Sequence, residues 1–173
     1  EVNIVGVTPF GGTMLKVRLI CVGKLKEKYL RDGCDEYLKR LGAFSKMSIV
    51  EIGEERCSDN PSDAEIEAVK DKEGKRIISK IPKGSFVVPM CIEGEQMSSE
   101  AFSKKIESIS LKGYGEITFI IGGSFGLSDE VKSLGGLKLS FGKLTLPHQL
   151  MRVILLEQIY RAFSILNNSK YHK

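Results

Sequence analysis

The run E-I-T-F-I-I-G-G at residues 116–123 constrains the fold more than any other stretch of this chain. A strand with one wet face alternates apolar and polar residues. A nearly continuous apolar run that stops at glycine reads as a strand covered on both faces, and such strands belong to parallel sheets with helical crossovers. Comparable β-branched runs lie at residues 15–23 (LKVRLICVG), 47–53 (MSIVEIG) and 85–94 (SFVVPMCIEG), with a shorter one, LKLSFG, at 137–142. Pro89 inside the third run has no amide hydrogen, so that strand should end, bulge or lie at an edge there. Between the runs the apolar period changes to that of a helix. Residues 27–41 place Tyr29, Leu30, Cys34, Tyr37, Leu38 and Leu41 on one side, and Gly42 closes the segment. Ser62 and Glu65 form a capping box that opens a helix running to about Ile81, before Pro82. Further helices are predicted over 98–111, from Ser128, and from Pro147 onward. Strand alternating with helix predicts an α/β class with a mainly parallel sheet.

Length and composition are compatible with one such domain. The chain has 173 residues, 42% apolar and 28% charged, enough for a packed core without staples. No apolar run reaches the roughly 20 residues that span a bilayer, and no secretory signal pattern is present. Cys21, Cys34, Cys57 and Cys91 are scattered, with no C-x-x-C pair, and read as reduced thiols of a cytoplasmic protein and not as a zinc site. Residues 1–13 precede Met14, which opens the first strand pattern. They are expected to be a leader or expression-derived segment, with a single domain over 14–173.

The formal charge of +4 is mild, but its distribution is not even. From Gly123 onward, seven basic residues face three acidic ones, so the last third carries the whole excess. The final helix is apolar over most of its circumference: Leu150, Met151, Val153, Ile154, Leu155, Leu156, Ile159, Tyr160, Phe163 and Leu166, with Glu157, Arg161 and Ser164 on one narrow polar face. A helix on one sheet needs only a limited apolar stripe. The surplus predicts a second buried contact, met economically by a symmetric dimer. Burial within its own domain is the competing account.

Two loops are candidates for a ligand. Gly122, Gly123 and Gly126 follow the fourth strand at its carboxyl end, where open α/β sheets bind ligands. Their spacing is neither G-x-G-x-x-G nor a P-loop, and taken alone they more commonly mark a tight structural turn. Phe141 to Leu146 precede the last helix; Gly142 supplies flexibility, and the backbone groups of Lys143 to Leu146 suit the edge of a flat base. Pro147 fits the first turn, where its missing amide costs nothing. His148 at the helix start suits a neutral hydrogen-bonding role, because a helix N-terminus disfavours a cation. His172, penultimate, is by position alone ordinarily a frayed-tail residue.

Taken together, FIIGGSFGL, LSFGKLTLPHQLMRVILLEQIYRAF and the terminal YHK resemble the SPOUT class of methyltransferases. Within it they resemble the bacterial family that methylates N3 of a pseudouridine in 23S ribosomal RNA. The likeness extends from VRLICVGKLKEKYL through KEGKRI and IEGEQMSSE to the end of the chain. It implies a Rossmann-like parallel sheet whose C-terminal part forms a trefoil knot. It implies S-adenosylmethionine as cofactor, held by Met90, Gly122, Phe141, Gly142, Lys143, Leu144, Thr145 and Leu146. It also implies His172 as base or orienting group, Tyr171 as a stacking or hydrogen-bonding partner and Arg161 facing a phosphate or the anionic base, with Arg152 and His148 ranked second. The implied assembly is a homodimer in which one subunit's tail completes the other's site. Lys138, Lys143, Lys170 and Lys173 would meet rRNA phosphates on the ribosome, with neither metal nor membrane involved. A SPOUT enzyme acting on another RNA, a non-catalytic RNA-binding factor and an unknotted flavodoxin-like monomer are the alternatives.

Overall fold

The structure, a computed structural model, describes residues 13–172. The leader expected at the N-terminus therefore lies, except for Thr13, outside the described residues. The elements in chain order are β1 (Lys16–Val22), α1 (Lys28–Leu41), β2 (Lys46–Ile52), α2 (Asp63–Ile78), β3 (Phe86–Glu95), α3 (Ser99–Leu111), β4 (Glu116–Ile121), α4 (Asp129–Ser133) and α5 (His148–Leu166). The four strands form one sheet in the order β2-β1-β4-β3, and every pairing is parallel.

Alternate residues of the central strands feed two apolar layers. Val17, Leu19 and Cys21 of β1 and Ile117, Phe119 and Ile121 of β4 pack with Cys34, Phe102, Ile106, Leu155 and Ile159 from α1, α3 and α5. Ile20, Val22 and Ile120 face the other way, onto Ile77 of α2 and Val131 of α4. That two-sided covering is what the apolar run in β4 demands. Helix starts follow their caps: Ser62 accepts from the Glu65 amide while the Glu65 carboxylate accepts from the Ser62 amide, and Ser98 and Ser128 cap α3 and α4. Loss of such a cap costs about 1 kcal/mol.

The expected fifth strand, LKLSFG, does not join the sheet. Residues 136–140 instead run along the outer side of β3, with isolated bridges from Leu139 to Met90 and Glu95. The Gly136 amide donates to the Val87 carbonyl at 2.9 Å, the Glu95 amide to Lys138 at 2.8 Å and the Ser140 amide to Glu95 at 3.0 Å. Pro89 is the reason a regular ladder fails here. It sits on the edge strand, as its missing donor requires, and closes the β3–β4 register opposite Ile120. The crossing also needs Gly94, where a Cβ would lie 2.7 Å from the Leu139 carbonyl carbon.

On α5, Ser164 is buried and donates to the Tyr160 carbonyl at 2.8 Å, so it does not belong to the polar face expected of it. A hydroxyl can take this bond within its own helix, which lets serine enter an apolar layer. α5 packs on both α1 and α3, and this accounts for part of its apolar surplus. Leu150, Ile154 and Ile165 remain half-buried and outside the core layers.

Candidate active site

At the carboxyl end of the sheet a cleft of about 640 Å³ opens between three chain segments. One wall is the end of β3, from Met90 to Glu93. The second is the turn 122–127, and the third is the stretch 139–148 leading into α5. The turn is tight because the Gly126 amide donates to the Gly123 carbonyl at 3.0 Å. Gly122 is required there: a Cβ would sit 2.8 Å from the carbonyl carbon of Gly126 and 3.0 Å from Leu127 Cδ2. In the third wall Ser140 Oγ donates to the Gly142 carbonyl at 3.1 Å and accepts from its amide at 3.2 Å. This small hydroxyl turn holds the bend that Gly142 makes at φ 137°.

Of the eight residues expected at a cofactor, Met90, Gly122, Phe141, Gly142, Leu144, Thr145 and Leu146 line the cleft, and Lys143 does not. Lys143 is exposed, and Leu144 stands 84% exposed at the rim. His148 lines the cleft at the head of α5. The lining is chiefly apolar side chain and backbone. Its formal charges are those of Lys132 and Glu93, which pair with each other. That pairing holds the Glu93 carboxyl below its ordinary value. Apolar walls for a flat ring, backbone groups for its edges and a volume within the roughly 300–1,000 Å³ of small-molecule sites suit a nucleoside-bearing cofactor.

Arg152 is buried and does not line the cleft. It pairs with Glu51 at 2.9 Å and donates to the Gly23 carbonyl at 3.1 Å, with Nε left without a partner among the described residues. It joins the head of α5 to the ends of β1 and β2. Sequence reasoning missed Glu73. This buried carboxylate of α2 accepts from the Glu55 amide at 3.0 Å and stands directly behind Gly123, where a Cβ would be 3.1 Å from it. Burial pushes its carboxyl up from the ordinary range. The charge run around it reads as a solvated helix face, and nothing in its period singles out this one acid.

Arg161, Tyr171 and His172 come together, but elsewhere. Arg161 pairs with Glu157 at 2.5 Å, and the Tyr171 hydroxyl donates to the same carboxylate at 3.1 Å. The guanidinium lies 4.9 Å over the Tyr171 ring, which meets Tyr160 edge-on at 4.7 Å. Burial raises the Tyr171 hydroxyl to about 12, so it remains a phenol. Arg161 Nη1 approaches His172 Nδ1 at 3.3 Å, and His172 Nε2 lies 2.7 Å from Glu100. A guanidinium only donates, so Nδ1 accepts and Nε2 carries the proton to the carboxylate. The His172 lone pair is thus occupied by Arg161. Glu157 and Glu100, which order this cluster, were not among the expected site residues. The i,i+4 spacing of Glu157 and Arg161 was the available signal. Ten residues of α5 separate Arg161 from Met151, the last residue of that helix to line the cleft, about 15 Å along the axis at the usual rise. The tail cluster and the cleft are therefore distinct within one chain.

Among the described residues no group of three His, Cys, Asp or Glu side chains could hold a metal ion, and no helix is long and apolar enough to cross a membrane. Comparison with known proteins then narrows the reading. A family model described as "Predicted SPOUT methyltransferase" matches residues 15–172. A curated relative from Streptococcus thermophilus (strain CNRZ 1066), "Ribosomal RNA large subunit methyltransferase H", is 56% identical over 159 residues, which span 92% of this chain and 100% of the relative. The protein of that name from Enterococcus faecalis is 52% identical over the same shares. A solved structure described as that of a hypothetical protein superimposes with a TM-score of 0.50 at 12% identity, covering 88% of this chain and 69% of its own, a likeness of fold alone. With nearly every described residue inside the matched span, the chain belongs to the SPOUT methyltransferase family.

Proposed function

We propose that this chain transfers a methyl group from S-adenosylmethionine to N3 of a pseudouridine in 23S rRNA, acting in the cytoplasm on the assembled large subunit or ribosome. The observation that carries the reading is the convergence of Met90, the turn at Gly122 and the stretch 141–146 on one cleft. The relatives matched over their whole length are named as ribosomal RNA large subunit methyltransferases, which supports the choice of substrate.

Met90, Gly122 and the backbone of 141–146 would hold the cofactor, with apolar walls around the adenine. When bound, its sulfonium supplies an electrophilic methyl carbon, and transfer breaks the S–CH3 bond as the N–CH3 bond forms. The protein's part is positioning and proton removal. Holding donor and acceptor in line can supply much of the acceleration. The imide N3 must lose its proton to become a nucleophile, so a base or a cation facing the developing anion is needed. Arg161 and His172 would fill these roles, with Tyr171 holding the base ring. For His172 to accept a proton, the contact from Arg161 to Nδ1 must give way, which an incoming anion competing for the guanidinium would favour.

Because the tail cluster is remote from the cleft of its own chain, the proposal includes a homodimer in which each tail closes the partner's cleft. Leu150, Ile154, Glu157, Arg161 and Ile165 fall on one side of α5 at helical spacing, and all are half-buried. That face would be the seam. Threading of residues 134–146 past β3 as a trefoil knot, over a single domain of residues 14–173, completes the proposed architecture. Lys138, Lys143, Lys170 and Lys173 would meet rRNA phosphates.

The test is tritiated methyl transfer to ribosomes and to free rRNA with the modified nucleotide mapped, together with calorimetry of cofactor binding. Label at N3 of one pseudouridine is expected. A folded protein that takes up no S-adenosylmethionine would overturn the proposal.

A further inference from the structure

We propose that the loop from β1 to α1, with the first turn of α1, is an RNA-docking surface beside the cleft. Lys24 and Lys26 would take phosphates, and Tyr29 an unstacked base, of a single-stranded or looped segment next to the target nucleotide. This rests on the reading of RNA as substrate.

The loop lies at the mouth of the site. It leaves β1 at Gly23, where a Cβ would be 3.7 Å from Nε2 of the cleft-lining His148. The Lys26 amide donates to Gln149 Oε1 at 3.1 Å, so the loop and the head of α5 form one surface. The backbone is fixed before any ligand arrives. Arg31 donates to the carbonyls of Leu25 at 3.1 Å and Lys26 at 2.8 Å, Arg152 holds the Gly23 carbonyl at 3.1 Å, and Leu25 packs on the core. Such a frame reduces the ordering cost of binding.

What the frame presents is cationic and aromatic. Residues 24–31 hold four basic side chains against Glu27 alone. Lys24 and Lys26 are exposed, and among the described residues neither has a carboxylate at ion-pair distance, whereas Lys28 is paired with Asp32. Tyr29 is 69% exposed on the first turn of the helix. Free ammonium groups around a solvated ring match the recognition of unpaired RNA, in which phosphates are neutralised and bases stack on aromatic faces.

The experiment measures binding of the full chain to 70S ribosomes and to protein-free 23S rRNA over a salt series. Each neutralised phosphate contributes roughly 0.7–0.9 to the log–log slope. Lys24→Ala with Lys26→Ala is therefore expected to lower the slope by about 1.4–1.8 and to raise the KM for ribosomes, leaving calorimetric affinity for S-adenosylmethionine unchanged. Tyr29→Ala is expected to weaken binding about tenfold with an unchanged slope, and Tyr29→Phe to retain it. A double variant with the parent's slope and KM overturns the assignment of phosphates to this loop. A parent protein that binds neither ribosomes nor rRNA overturns the functional reading itself, a result seen before any variant is made.

Discussion

Gly122→Ala is the sharpest probe of how the cleft is built. The added methyl would sit 2.8 Å from the carbonyl carbon of Gly126, 2.9 Å from its oxygen and 3.0 Å from Leu127 Cδ2. Two of these neighbours are backbone, in a turn already closed by the bond from the Gly126 amide to Gly123. Overpacking against atoms that cannot rotate away costs about 1–3 kcal/mol. In a domain of this size that is a fall in Tm of roughly 2–12 °C, at about 2–4 °C per kcal/mol. Relief by moving the turn would displace a cleft wall. Affinity for S-adenosylmethionine should therefore drop by about tenfold or more, the equivalent of 1.4 kcal/mol. Gly115→Ala is the control, since among the described residues a Cβ there meets nothing within 4 Å. Differential scanning calorimetry reads the first effect and isothermal titration the second. If Gly122→Ala matches Gly115→Ala in both, the turn is not close-packed and the account of the cleft is wrong.

Three further outcomes are expected. Glu73 has a raised folded-state pKa, so its contribution to stability is intact below the unfolded carboxylate value near 4.3 and is lost as pH rises through the folded value. Urea midpoints should accordingly shift in favour of Glu73→Gln over the parent as pH rises from about 4 to 8, and a pH-independent difference would contradict the burial argument. His172→Ala and Arg161→Ala should each lower methyl transfer by about 10²–10⁴-fold and alter the pH–rate profile, with cofactor affinity retained. Parental profiles would remove both from the chemistry. Ile154→Glu puts a charge in the middle of the half-buried face of α5 and should turn a dimer into monomers by sedimentation, with methyl transfer lost in step. A parent that already sediments as a monomer would dispose of the shared site.

Local patterns were enough to locate nearly every element. A strand covered on both faces needs a nearly unbroken apolar run, and β4 has one, interrupted within its buried stretch by Thr118 alone, whose hydroxyl donates to Ser85. Serine with a carboxylate three residues on is itself the start of α2, and a proline without an amide hydrogen belongs on an edge, where β3 places Pro89. The glycine turn and the stretch 141–146 were legible because close backbone approach leaves few other residues possible. Three features were not legible. LKLSFG has the composition of a strand, yet whether it pairs depends on the donors that β3 offers across from it. Glu73 looks like any acid of a solvated helix until α2 lies against the turn at Gly123. The tail residues could be listed, but not that Glu157 and Glu100 gather them around Arg161, about 15 Å along α5 from the cleft. Period and propensity act between neighbours in sequence, and so the chain alone determined its strands, helices and turns. Burial of a charge and the meeting of remote segments depend on the whole packed arrangement, and only the tertiary structure decided them.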